Sequence, residues 1–286
     1  MKKGITAATR LAGVVGLPIS HSLSPVLFNA WLAAAAIDAV YLAFSPSEEG
    51  FGRFVAGVCE GAALGLNVTA PFKEAALALP GRHASPRADR AGAANLLVFA
   101  ADGSIAADNT DGVGLMMALA KASGEWKPAN GPAVILGAGG AARAAAAALL
   151  EAGASQVRII GRRPGAAARL ANWFDAGVKA VGSDKVESAL TDANLVINAT
   201  PQGQGGQDAP TIPLEAAPRA AVVMDMVYRP VHTAFLERAQ RLGHPTVDGL
   251  AMLIGQAEPS FAALFGAPPP RIDVRSLALA VIARST

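Results

Sequence analysis

In the middle of the chain, Gly137-Ala138-Gly139-Gly140-Ala141-Ala142 follows the apolar run Ala133 to Leu136 and opens the alanine-rich stretch Ala141 to Leu150. No other feature constrains the fold as much, because strand, glycine-rich turn and helix in this order form the first turn of a dinucleotide-binding unit. Glycine lets the backbone turn tightly and approach a pyrophosphate, and the helix amino terminus offers free N–H groups and a positive dipole end. Ala142 stands at the third glycine position, a variant that close helix–strand packing allows. The next strand, Val157 to Ile160, runs into Gly161-Arg162-Arg163, with no acid before Asp175. A carboxylate there would bond a ribose 2′-hydroxyl, whereas guanidinium groups match a 2′-phosphate. The expected cofactor is therefore NADP, with Gly137, Ala138, Gly139, Gly140 and Ala141 at the pyrophosphate and Arg162 and Arg163 at the phosphate. Two solvated loop arginines are the structural alternative.

The same alternation extends in both directions. Apolar strand patterns at Leu11 to Val15, Val40 to Ser45 and Leu64 to Val68 alternate with helical stretches at Pro25 to Ala36, Phe51 to Glu60 and Lys73 to Leu79. A polar connector over Ser123 to Gly131 follows a helix at Leu115 to Lys121, and further strands lie at Leu195 to Ala199 and Val222 to Met226. Helices at Leu250 to Phe265 and Ser276 to Ala283 close the chain, with Pro259 expected to kink or end the first of them. This is an α/β protein with mainly parallel sheet. Alanine accounts for 65 of the 286 residues, so much of the 52% apolar content is small and suits close helix–sheet contacts. Disorder and a membrane span are both excluded as the main story, since apolar residues abound but no uninterrupted run reaches membrane length. Lys2 and Lys3 open the chain, but Arg10 breaks any leader core, and the expected location is cytoplasmic. One cysteine, Cys59, allows neither an intrachain disulfide nor a zinc site, and no metal is expected. A net charge of +2 with scattered arginines is no nucleic-acid footprint.

Three segments of the first third carry polar groups suited to chemistry. In Ser20-His21-Ser22-Leu23-Ser24-Pro25, Pro25 suits the first helical position and Ser24 the N-cap. Ser22 and Ser24 could present two hydroxyls to a carboxylate, or Ser24 could only cap the helix. In Asn67-Val68-Thr69-Ala70-Pro71-Phe72-Lys73, Asn67 and Thr69 share a face at the carboxyl end of a strand, where open α/β sheets bind ligands. Lys73 then sits at a helix start, which the dipole disfavours, although an exposed lysine needs no function. Asp108-Asn109-Thr110-Asp111-Gly112 precedes another helix and reads alone as an Asx turn with a cap.

In this order the three segments, with Gly137 to Arg143, Asn198-Ala199-Thr200, Asp225-Met226-Val227-Tyr228 and Gly249 to Gln256, resemble the shikimate dehydrogenase family over nearly the whole chain. The resemblance implies NADPH-dependent reduction of 3-dehydroshikimate to shikimate, by a monomer or homodimer with a small-molecule substrate and no membrane partner. It implies a substrate domain over 1–112 and 250–286, a Rossmann domain over 113–249, and an active site in the cleft between them. Carried over by motif, Lys73 and Asp111 are the catalytic pair, and Ser22 and Ser24 hold the substrate carboxylate with Tyr228 nearby. Asn67, Thr69, Asn95 and Gln256 bond the ring hydroxyls, while Thr200, Met226 and Gly249 join the cofactor site. Some positions depart from the family pattern: Phe28 stands where His is usual before Asn29, Gly161 replaces the Asn of an Asn-Arg-Thr, and Ala166 replaces a second arginine.

Overall fold

The protein, seen here as a computed structural model, is described for residues 4–79, 81–122, 126–163 and 165–284. Lys2, Lys3 and residues 123–125 of the expected connector lie outside them. The chain divides into two compact units, Met1–Thr110 with Gln256–Thr286, and Asp111–Gly255.

The first unit begins with β1 (Arg10–Val15), α1 (Ser24–Ala34), β2 (Ala39–Phe44), α2 (Phe51–Glu60), β3 (Gly65–Val68) and α3 (Lys73–Leu77). It continues with β4 (Arg82–Ala84), α4 (Pro86–Ala91), β5 (Leu96–Phe99) and β6 (Ile105–Asp108). Its sheet runs in the order β2-β1-β3-β5-β6-β4. Pairings β1–β2, β1–β3 and β4–β6 are parallel, whereas β5 lies antiparallel to both β3 and β6. The β5–β6 hairpin was not anticipated, although its signal is present: Gly103 takes a φ of +81° and Ser104 N–H donates to the Asp102 carboxylate between two apolar runs.

The second unit opens with α5 (Asp111–Ala122), β7 (Ala133–Leu136), α6 (Gly140–Glu151), β8 (Val157–Ile160), α7 (Ala166–Ala171) and β9 (Val178–Val181). Then come α8 (Val186–Leu190), β10 (Leu195–Asn198), β11 (Val222–Asp225), α9 (Ala234–Arg241) and β12 (Thr246–Val247). Its sheet, in the order β12-β11-β10-β7-β8-β9, is parallel throughout. The chain enters at the centre, winds to one edge, and returns to wind to the other, so strand order reverses beside β7. Strand alternation feeds two cores: Ala133 and Ile135 of β7 join Leu195 and Ile197 on one face, and Val134 and Leu136 join Val196 on the other. The alanines have a packing role here. A Cβ on Gly112 of α5 would come within 2.7 Å of Ala148 on α6, so small residues set how closely those helices approach.

Helix α10 (Gly249–Phe265) carries the chain from the second unit back to the first, and α11 (Val274–Ala283) follows. Pro259 does not end α10. The apolar repeat continues beyond it, with Phe261, Leu264 and Phe265 buried, and that burial outweighs one lost backbone bond. The amino end of α1 also differs from expectation. Ser24 is the first helical residue rather than the cap and Pro25 the second, with Leu23 before them and no side chain capping the turn.

Candidate active site

In the first unit, the loop after β1 lies against the end of β3. Leu17 N–H donates to Ala70 O at 3.1 Å, and a Cβ on Gly16 would meet Thr69 Cγ2 at 2.4 Å. This close approach holds the serine loop beside Thr69. Ser22 Oγ accepts the Ser24 N–H at 3.3 Å, and the Ser24 hydroxyl, not needed as a cap, remains available for another partner.

Asn67, Asn95 and Gln256, remote in sequence, share one hydrogen-bonded cluster. Asn67 Nδ2 donates to Asn95 O at 3.2 Å and to Ser260 Oγ at 3.0 Å, and Asn67 Oδ1 accepts from the Tyr41 hydroxyl at 2.8 Å. Asn95 Oδ1 accepts Thr110 N–H at 2.8 Å, while Asn95 Nδ2 reaches Thr110 Oγ1 at 3.0 Å and Gln256 Oε1 at 3.4 Å. Burial holds the Tyr41 phenol well above its ordinary pKa, so it stays protonated and donates. Lys73 begins α3 and its carbonyl accepts Ala94 N–H at 2.9 Å, which ties that turn to the residue before Asn95. Asp111 is buried and follows Thr110 directly.

In the second unit, the glycine-rich turn joins β7 to α6. Gly137 has a φ of +113°, and a Cβ there would lie 2.9 Å from Ala199 O, so both conformation and space exclude a side chain. Gly139 and Gly140 have no atom within 4 Å of where a Cβ would sit. Nothing in the protein itself requires glycine at those two positions, whereas a pyrophosphate approaching the backbone at the start of α6 would. The residues fit NADP on this count, with Ala138 and Ala141 in the same turn. Thr200 follows β10 and donates to Asn198 Oδ1 at 2.7 Å, while Asn198 Nδ2 donates to Asp225. Gly249 leaves no room for a Cβ, which would meet Met226 O at 2.4 Å. Tyr228 is half-buried, and burial raises its pKa against the opposing charge of Arg229.

Arg162 and Arg163 are exposed in the loop after β8. At Gly161, a departure from the family pattern, a Cβ would come within 3.1 Å of Ala167 N near the start of α7, so a side chain there would need that turn to give by a few tenths of an ångström. Arg169 on α7, which sequence reasoning did not single out, brings its guanidinium back to the turn before that helix: a Cβ on Gly165 would lie 3.2 Å from Arg169 Nη1. Thr110, Ser260 and Tyr41 were not singled out either, and only the tertiary cluster brings them to notice. Among the described residues, no group of His, Cys, Asp and Glu is arranged to hold a metal ion, and no helix is long and apolar enough to cross a membrane.

Residues 14–97 match the family described as shikimate dehydrogenase substrate binding domain, and residues 118–205 match shikimate / quinate 5-dehydrogenase. A shikimate dehydrogenase (NADP(+)) of Caulobacter vibrioides is 52% identical over 283 residues, 99% of either chain. The crystal structure of shikimate 5-dehydrogenase from Thermus thermophilus in complex with NADP(H) and shikimate is similar with a TM-score of 0.83 and 36% identity, covering 97% of this chain and 100% of that one. Quinate dehydrogenase from Corynebacterium glutamicum in complex with NAD is similar with a TM-score of 0.86 and 27% identity, covering 96% and 99%.

Proposed function

The chain belongs to the shikimate dehydrogenase family, and from that premise we infer how its own residues carry the NADP-dependent interconversion of 3-dehydroshikimate and shikimate on the route to chorismate. Residues 1–112 and 250–286 act as the substrate domain in this reading, and 113–249 as the cofactor domain. Ser22 and Ser24 hold the substrate carboxylate, with Tyr228 contributing on the same side. Asn67, Thr69, Asn95 and Gln256 bond the ring hydroxyls. The turn Gly137 to Ala141 takes the pyrophosphate, and Thr200, Met226 and Gly249 line the remainder of the cofactor site. Arg162 and Arg163 meet the 2′-phosphate, and Arg169 adds the guanidinium that Ala166 lacks. NADPH, when bound, supplies a hydride to the ketone carbon.

Hydride addition leaves negative charge on the ketone oxygen. The Lys73 ammonium stabilises that charge and gives the oxygen its proton from Nζ. Asp111, its partner by resemblance, orients the ammonium and lowers the cost of holding it away from water. The single observation that carries this reading is the convergence of Asn67, Asn95 and Gln256 on one hydrogen-bonded cluster, since amides so remote in sequence have no local reason to meet. The single cysteine supports a reducing, cytoplasmic setting, and either a monomer or a homodimer suits the reading.

Steady-state kinetics with shikimate and quinate, each against NADP and NAD, test it. Shikimate with NADP should have the highest specificity constant, and NADP should exceed NAD by about tenfold or more, or ~1.4 kcal/mol. Arg162→Ala should raise the Michaelis constant for NADP and leave that for NAD nearly unchanged. Quinate with NAD as the faster pair would favour the second reading, a quinate dehydrogenase, for which Gly161 and Ala166 are the relevant departures.

A further inference from the structure

The cluster that joins Asn67, Asn95 and Gln256 contains three hydroxyls with no role in the reading above: Tyr41, Thr110 and Ser260. Tyr41 and Ser260 are fully buried, and Thr110 is 1% exposed. The bonds of Tyr41 and Ser260 to Asn67 have a fixed direction. The Ser260 hydroxyl donates to Gln256 O at 3.0 Å, one turn back on α10, so its single proton is committed. Its oxygen then accepts from Asn67 Nδ2 at 3.0 Å, and it lies 3.2 Å from the Thr110 hydroxyl, whose single proton also has Asn95 Oδ1 at 3.2 Å. Ser260 makes three bonds, the practical limit for a hydroxyl in a site closed to water.

The consequence falls on the amides. Both N–H groups of Asn67 are spent, on Asn95 O and on Ser260, and one lone pair of its oxygen is taken by Tyr41. What Asn67 can still offer a ligand is an acceptor. Gln256 receives Asn95 Nδ2 on its oxygen, which leaves Nε2 as its outward donor. Tyr41 is itself held on three sides. Its ring stacks on Phe28 at 4.0 Å between centroids, and Asn29 bonds both its N–H and its carbonyl. Phe28, one of the departures from the family pattern, supplies the apolar surface for that stack.

We infer that Tyr41 and Ser260 are positioning residues: by fixing the orientation of the Asn67 amide and, through Thr110, of Asn95 and Gln256, they decide which site atoms accept and which donate to the substrate hydroxyls. This rests on the proposed contact between those amides and the ring. Neither residue touches substrate; each acts through an amide.

The experiment measures kcat and Michaelis constants for shikimate and for NADP, with thermal unfolding, in Tyr41→Phe, Ser260→Ala and Asn67→Ala and in Asn67→Ala combined with each of the others. Tyr41→Phe and Ser260→Ala should each raise the Michaelis constant for shikimate about three- to tenfold, the effect of one net hydrogen bond. The constant for NADP should stay within about twofold, and neither substitution should add to the effect of Asn67→Ala, since groups acting through one another are not additive. Ser260→Thr, which restores the hydroxyl, should recover most of the loss. Should Ser260→Ala fold poorly, Tyr41→Phe keeps the ring stack and tests the same claim. Unchanged shikimate constants alongside a raised one in Asn67→Ala overturn the inference and leave the function standing. Full additivity, or equal losses for shikimate and NADP, overturn it as well. No effect from Asn67→Ala would overturn the contact on which it rests.

Discussion

Each unit holds a carboxylate that accepts a hydrogen bond from the hydroxyl capping a helix, yet the two titrate in opposite directions. In the first unit Ser85 caps α4, accepting Ala88 N–H at 3.1 Å, and donates to Asp108 at 2.5 Å. In the second Thr233 caps α9, accepting Leu236 N–H at 3.3 Å, and donates to Asp225 at 2.7 Å. Burial raises the pKa of Asp108, but bonds from Arg87, Ser85 and Asn109 N–H together bring it below the usual carboxylate range. Asp225 also receives three donors, Thr233, Val227 N–H and Asn198, and all are neutral; burial wins and holds its pKa above the usual range. Neutral dipoles do not compensate for full desolvation, whereas one guanidinium at the rim, with water still at hand, tips the balance. The first unit thus holds Asp108 below the usual carboxylate range beside a guanidinium at the end of β6, and the second holds Asp225 above it, buried at the end of β11.

The largest test of this division of roles is chemical. Lys73→Ala, in the first unit, should lower kcat by about 10²–10⁴ with a much smaller change in substrate affinity. Asp111→Asn, at the start of the second, should lose much of the same rate, and the double variant should be little worse than Lys73→Ala alone. Near-normal turnover in Lys73→Ala would make the lysine a binding group. The pH dependence of thermal stability, followed from about pH 3 to 8, separates the two carboxylates by sign. Asp108, with its lowered pKa, contributes stability above its unfolded value that is lost as pH falls through the folded value, so Asp108→Asn should flatten the acid limb. Asp225, with its raised pKa, favours the fold when protonated and subtracts stability as pH rises from the unfolded to the folded value. Asp225→Asn should remove that decline; a parallel response of both variants would end the contrast. The smallest effect separates two serines of the first unit. Ser85→Ala should cost about 1–2 kcal/mol as a true cap, and Ser24→Ala, which caps nothing, under ~0.5 kcal/mol.

Where hydrophobic period and glycine agreed, the elements were legible: Phe51–Glu60, Ala133–Leu136 and Val157–Ile160 have the bounds their patterns suggest. The short strands β4, β9 and β12 and the helices α4, α7 and α8 were not, because so few residues hold too little of any period to register. Ser24 was misplaced by one position, since Pro25 is tolerated at either of the first two helical sites and the local sequence cannot choose between them. Asn67 and Gln256 of the hydrogen-bonded cluster stood in ordered motifs. Ser260 was not legible, because a buried serine inside an apolar helix gains its meaning only from Asn67, far away along the chain.

That separation also sets an order of assembly. The second unit is one continuous stretch and can be complete while the chain is still being made. The first unit waits for its last segment: until Gln256 onward emerges, Phe28 and Trp31 lack Phe261 and Phe265, and Asn67 lacks Ser260. The Asn67 and Asn95 amides thus gain their bonds to Ser260 and Gln256 only after that segment has been made. A nascent chain halted before Gln256 would hold the whole second unit, while Phe28 and Trp31 of the first still lacked their aromatic partners and stayed open to chaperones and proteases.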